Sequence, residues 1–246
     1  MSSEAMTIET KTVLVTGANR GLGQALVEEA LARGARRVYA GTRRPLVHLD
    51  GRVAPLILDV TDEAQIRGAV EQVESLDVLI NNAGVALYDD LSERAALEQH
   101  LAVNLFGTWS VTQAFLPLLE RSGGVIVNVV SDSALAPVPV VPAYSISKAA
   151  AFSMTRSLRA LLVPRGVSVH AALPGPIDTD MSRDYNAPKA SAESVARGIF
   201  DGVEHGEEEI FPDTVSRSMA ASWINGAAKA HERQRAALVA ADQVGS

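Results

Sequence analysis

The sequence predicts an α/β chain built as a single doubly wound parallel sheet of about seven strands with helices on both faces. Three observations carry the prediction. Short apolar runs alternate with longer segments of helical periodicity. Val, Ile and Leu fill most of these runs without strict alternation, as expected of strands covered on both sides. A glycine-rich turn joins the first run to the first helical segment.

In chain order, residues 1–10 are polar and read as a frayed tail, without the basic start and apolar stretch of a signal peptide. Strands are expected at Thr12–Thr16, Arg37–Gly41, Ala54–Leu58, Val78–Asn81, Val125–Val129, Ser168–Ala172 and Glu209–Phe211. Between them, Leu22–Arg33 places Leu22, Ala25, Leu26, Ala30 and Leu31 on one stripe, and Ala192–Glu204 does the same with Val195, Ile199 and Val203. The stretch of about 176–191 is a long polar connection of the kind that forms a substrate or binding loop. Residues of about 214–246 read as a mostly helical extension. No repeat or Pro/Gly/Ser linker divides the chain, so residues 11–246 are expected to form one domain.

Composition narrows the function. The 246 residues contain no cysteine, which excludes disulfides, thiolate metal sites and cysteine nucleophiles and makes the cytoplasm the expected compartment. Twenty-two basic against 29 acidic residues give a net charge of −7, the wrong sign for holding nucleic acid by charge. No apolar run approaches the roughly 18 to 20 residues that cross a bilayer. The five histidines show no metal-ligand spacing and read as structural or surface groups, so no metal site is expected.

The turn Gly17-Ala18-Asn19-Arg20-Gly21-Leu22-Gly23 follows the first strand and opens a helix. Glycines there permit a tight turn, close approach of a pyrophosphate and close helix-on-strand packing, while the helix start offers free N–H groups to phosphates. Three turn glycines with no ligand are the alternative. Some 20 residues on, the second strand ends in Thr42-Arg43-Arg44 with no carboxylate to repel a 2′-phosphate. Arg43, with Arg20, could supply forked donors to such a phosphate, which favours NADP(H) while leaving NAD(H) possible. Two ordinary surface arginines are the competing reading.

Tyr144 and Lys148 are four residues apart on a helix beginning near Pro142, so they share a face. A lysine ammonium about 5 Å from the phenol would favour phenolate by roughly 3 kcal/mol, about two pKa units, and bring the tyrosine within reach of neutral pH. With Thr16-Gly17-x3-Gly21-x-Gly23, Asn81-Asn82-Ala83-Gly84 and Pro174-Gly175 in order along the chain, Tyr144-x3-Lys148 makes the region of about Lys11–Pro212 resemble the compact short-chain dehydrogenase/reductase family.

The resemblance implies a seven-stranded Rossmann-like sheet and a nicotinamide cofactor. It implies Tyr144 as the acid/base, Lys148 as its electrostatic partner and ribose contact, Ser131 as donor to the substrate oxygen, and Asn104 as holder of a relay water. Val130 stands where the family often has a second serine, and Ser133 is also close, so Ser131 rests on its spacing to Tyr144. Contacts to cofactor are further implied for Asp59 and Val60 at the adenine, for Asn82, Ala83 and Gly84 along the ribose, and for Pro174, Gly175, Ile177 and Thr179 near the nicotinamide. Asp59 could instead be an acid near a helix start, and Asn82 could brace the sheet. Family members commonly form homodimers or homotetramers through two long helices, here around Arg94–Leu119 and Tyr144–Leu162.

The expected activity is interconversion of a small or medium, apolar ketone or aldehyde with its alcohol, substrate identity being unreadable. A 3-oxoacyl-carrier reductase shares the motifs, and a non-catalytic dinucleotide-sensing protein could share the fold.

Overall fold

The computed structural model describes residues 6–242, with side chains through residue 236. Seven parallel strands form one sheet in the order β3-β2-β1-β4-β5-β6-β7. They are β1 Thr12–Thr16, β2 Arg37–Thr42, β3 Val53–Ile57, β4 Val78–Asn81, β5 Val125–Val129, β6 Ser168–Ala172 and β7 Glu209–Ile210. β1, β4, β5 and β6 keep the boundaries read from sequence; their residues are mostly apolar and buried, and β1 and β4 end on polar Thr16 and Asn81. Strand order reverses between β1 and β4, which opens a crevice beyond their carboxyl ends.

The helices are α1 Gly21–Ala32, α2 Glu63–Gln72, α3 Arg94–Leu101, α4 Thr108–Ser122, α5 Pro142–Leu162, α6 Ala192–Glu204, α7 Thr214–Ile224 and α8 Ala227–Asp242. One face of the sheet packs on α1 and α6 through Leu26, Ala30, Val195, Ile199 and Phe200. The other face is covered by residues of α2, α4 and α5, including Ile66, Val111, Phe115 and Leu158. Pro142 starts α5, where its missing N–H costs nothing.

Two sequence readings need correction. The helix expected around Arg94–Leu119 is interrupted by a π-helical turn at Ala102–Gly107, which carries Asn104. Such a widened turn has no apolar signature and is often found at functional sites. The frayed tail is anchored before residue 11: Ile8 is fully buried among α1 and α6 residues, and its N–H donates to Glu204 Oε1 at 3.1 Å. Residues 1–5 lie outside the described part. The extension expected at about 214–246 consists of α7 and α8 through residue 242, residues 243–246 lying outside the described part, and Met219 and Trp223 of α7 pack on the small cluster that holds Phe152 and Phe211. No helix among the described residues is long and apolar enough to cross a membrane.

Candidate active site

The glycine turn leaves β1 at the crevice. Gly17 has φ +67°, and a Cβ on it would lie 3.0 Å from Ala83 Cα. A Cβ on Gly23 would stand 2.0 Å from the Gly17 carbonyl oxygen, so only glycine lets α1 start this close to β1. Thr16 Oγ1 accepts from the N–H of both Asn82 and Ala83 at 3.0 Å, while Asn82 Nδ2 donates to the carbonyls of Thr16 at 2.9 Å and Gly17 at 3.3 Å. The Asn82 side chain is therefore committed to the turn itself. Among the described residues no side chain caps α1, and its first turn holds no acid, so its first N–H groups stand unclaimed by side chains at the crevice. These constraints fit a bound pyrophosphate: the cradle exists only because side chains are absent from it.

The other positions expected around a cofactor divide into groups. Asn19 and Arg43 are exposed, whereas Leu22, Thr42 and Val60 are buried. Leu22 belongs to the core, and Val60 packs against Gly107, where a Cβ would come within 2.6 Å of it. Asp59 Oδ1 accepts from the N–H and the hydroxyl of Thr61 at 2.9 and 2.7 Å. Arg20 does not stand free: its Nη1 lies 3.2 Å from Asp180 Oδ2, tying the glycine turn to the 176–191 loop. Arg43 makes no salt bridge among the described residues. Thr179 lies over Gly21, and Ile177 pairs with Ala190 at the base of its loop. Pro174 and Gly175 are held from the substrate side, the first by the Asp132 N–H at 3.0 Å and the second by Asp213 Oδ2, which accepts the Gly175 N–H at 2.8 Å.

At the ends of β4 and β5 the structure brings Ser131, Tyr144, Lys148, Gly84 and Asn104 together. Lys148 Nζ donates to Val129 O at 2.9 Å and lies 5.6 Å from the Tyr144 ring centroid. A Cβ on Gly84 would be 3.2 Å from Asn104 Oδ1 and 3.6 Å from Lys148 Nζ. Asn104 spends its amide on the backbone of Val85, whose N–H it accepts and whose carbonyl it bonds, both at 2.9 Å, and donates also to Ser147 Oγ. The Ser131 hydroxyl donates to Asp132 Oδ1 at 3.1 Å and accepts from the Ser133 N–H at 3.1 Å, close enough to Tyr144 to act on its phenol.

The electrostatics overturn one expectation. Burial pushes the Tyr144 phenol up to about 12, against the Ser131 hydrogen bond, and nearby Asp132 adds to the rise. Burial also brings Lys148 down to about 8. The phenol is therefore not drawn toward neutrality: loss of water dominates, and Ser131 opposes it only in part. Asp132 is itself raised by burial, with Asp213 contributing.

Sequence reasoning missed several residues that build the site. Asn81 Nδ2 donates to Thr112 Oγ1 and to Asn128 Oδ1, and Asn128 Nδ2 to Thr155 Oγ1, a buried chain joining β4, β5, α4 and α5. Asp89 accepts from the Ala143 N–H at 3.3 Å and so caps α5 from a distant loop, since Val141 supplies no cap. Only the Asn81–Asn128 pairing had a visible signal, two amides inside otherwise apolar strands.

Known proteins agree with this architecture. The family described as short chain dehydrogenase matches residues 11–190. The sorbitol dehydrogenase of Cereibacter sphaeroides is 31% identical over 206 residues, 78% of this chain and 80% of that protein. The 3-oxoacyl-[acyl-carrier-protein] reductase of Thermotoga maritima is 35% identical over 193 residues, 72% of this chain and 78% of its own. A crystal structure of a short chain dehydrogenase from Burkholderia cenocepacia J2315 in complex with NADP superposes with a TM-score of 0.85 at 37% identity, covering 93% of this chain and 98% of that one. Glycine turn, strand order and the Tyr144/Lys148 helix thus have one common source: the chain belongs to the short-chain dehydrogenase family, and it is an oxidoreductase.

Proposed function

We propose that the protein is an NADPH-preferring reductase of apolar ketones or aldehydes, working reversibly on the corresponding alcohols. The observation that carries this reading is the meeting of Tyr144, Ser131 and Lys148 beside Gly84, at the crevice where the glycine turn opens. When bound, the nicotinamide supplies or takes up the hydride. Tyr144 gives its proton to the carbonyl oxygen, and a phenol held at about 12 is a group that keeps that proton until the oxygen becomes basic. Ser131 turns its hydroxyl from Asp132 to that oxygen and steadies the developing charge. Lys148, positive at neutral pH with a value of about 8, balances the phenolate left behind. Asn104 holds the backbone of Val85 and so the start of the substrate wall.

Preference for the phosphorylated cofactor rests on exposed Arg43 after β2, where no carboxylate stands, and agrees with the NADP named for the B. cenocepacia relative. An apolar substrate is favoured by exposed Leu87, Tyr88, Val140 and Met181, which lie in segments following β4, β5 and β6. The 3-oxoacyl reductase relative supports a second reading, a carrier-bound 3-oxoacyl chain; the net charge of −7 disfavours an acidic carrier. We place the enzyme in the cytoplasm and read exposed Phe106 and Trp109, with Leu161 of α5, as the face on which a second copy docks to form a homodimer or homotetramer.

The test is oxidation of NADPH and NADH over a panel of free ketones, aldehydes and carrier-linked 3-oxoacyl chains, with Tyr144→Phe as control. Turnover should fall at least about a hundredfold in the variant, with NADPH binding retained. Unaltered turnover would remove Tyr144 from the mechanism, and NADPH binding without oxidation on any carbonyl would leave a dinucleotide sensor.

A further inference from the structure

His100 is fully buried at the end of α3, one turn before Asn104. Its Nδ1 lies 2.7 Å from the Ala96 carbonyl, which can only accept, and its Nε2 lies 3.0 Å from the Leu87 N–H, which can only donate. Only the neutral ring with its proton on Nδ1 satisfies both. The ring also meets Tyr144 edge-on, with centroids 6.4 Å apart and planes at 70°. The loop after β4 is thereby pinned at three points: Val85 by Asn104, Leu87 by His100, and Asp89 by the Ala143 N–H that precedes Tyr144.

We propose that His100 is a positioning residue, whose uncharged imidazole fixes the Gly84–Leu91 wall against the catalytic helix and sets the plane of the Tyr144 ring. The proposal rests on the reductase reading for its kinetic consequence and on hydrogen bonding alone for its structural one. A proton added at Nε2 would set N–H against N–H at Leu87 and release the wall. The charged and titratable groups on the surrounding elements are engaged elsewhere. On α5, Tyr144 presents its ring and Lys148 is a cation turned to Val129 O; in the loop, Asp89 faces Ala143 N–H; on α3 itself, Glu98 pairs with Arg94 at the surface.

The experiment compares wild type with His100→Leu, which fills the space without an acceptor, and His100→Gln, which offers an amide oxygen to Leu87 but cannot titrate. Amide exchange over residues 84–91 is read together with kcat, KM and their pH profiles. In His100→Leu, exchange of the Leu87 amide should quicken and KM should rise, each by about tenfold, the scale of one unpaired buried donor. His100→Gln should recover most of both. On acidification wild type should lose protection in this segment and gain KM, while His100→Gln at the same pH should not. Unchanged Leu87 exchange in His100→Leu, or equal acid sensitivity in His100→Gln, would overturn the proposal. Should wild type reduce no carbonyl at all, the reductase reading falls, and the exchange data still decide the role of His100.

Discussion

Along α5, the first turns carry Tyr144, Ser147 and Lys148, and the later turns carry Arg156 and Arg159. Both sets are buried or nearly so, yet they are satisfied differently. Arg159 Nη1 lies 2.7 Å from Glu209 and 3.3 Å from Glu232, and Lys229 Nζ reaches Glu208 and Glu209 at 2.8 Å and Glu232 at 3.1 Å. Arg156 meets Glu232 at 3.1 Å and lies over the paired rings of Phe152 and Trp223. Three cations thus face three carboxylates, binding α8 and β7 to α5. Lys148 has a carbonyl and an aromatic face for partners and, among the described residues, no salt bridge. The later turns balance charge as a scaffold requires, whereas the first turns leave it unbalanced, an arrangement that costs stability and is characteristic of sites that do chemistry.

Breaking the balanced half should have the largest effect. Glu209→Gln leaves three cations facing two carboxylates, the most buried acid of the cluster having lost its charge, and is expected to cost about 3 kcal/mol in denaturant unfolding, with turnover of the folded enzyme little altered. Tyr144→Phe should do the reverse: about 2.7 kcal/mol of transition-state stabilisation lost, the equivalent of a hundredfold, and an unfolding midpoint close to wild type. Equal effects of the two variants on both measurements would erase the distinction between the halves.

The pH dependence of stability sharpens it. Between about pH 8 and 10.5 the unfolded chain keeps the Lys148 proton that the folded chain has released, so stability rises with pH across that window. From pH 10 to about 12 the unfolded phenol has lost a proton that folded Tyr144 retains, and stability falls. Lys148→Met should remove the rise and Tyr144→Phe the fall, in urea titrations over pH 7–12. The smallest effect belongs to an exposed charge outside both halves. Arg43→Ala should weaken NADPH by about tenfold in titration calorimetry and leave NADH unchanged; equal weakening of both would show that Arg43 does not read the phosphate.

Much of this was legible in the sequence. The glycine turn, the parallel strands and the Tyr144/Lys148 face could be read because each depends on neighbours in sequence: an apolar run, a turn, a four-residue spacing. What escaped reading depends on residues brought together by folding. Asp89 caps a helix 54 positions away, and Ile8 is an isolated apolar residue whose burial needs α6. The upward shift of Tyr144 escaped for the same reason, since spacing reveals a neighbouring ammonium but not the exclusion of water.

The π turn at Ala102–Gly107 sets the bearing of every side chain after it on the run into α4. A residue added to a helical ladder rotates everything beyond it by about 100°. The azimuth of Asn104 toward Val85 and the outward bearing of Phe106 and Trp109 therefore depend on how many residues the run contains as well as on which they are. Here the chain should accept a change of letter more readily than a change of count, and a single deletion would swing downstream side chains away from their partners while leaving composition almost untouched.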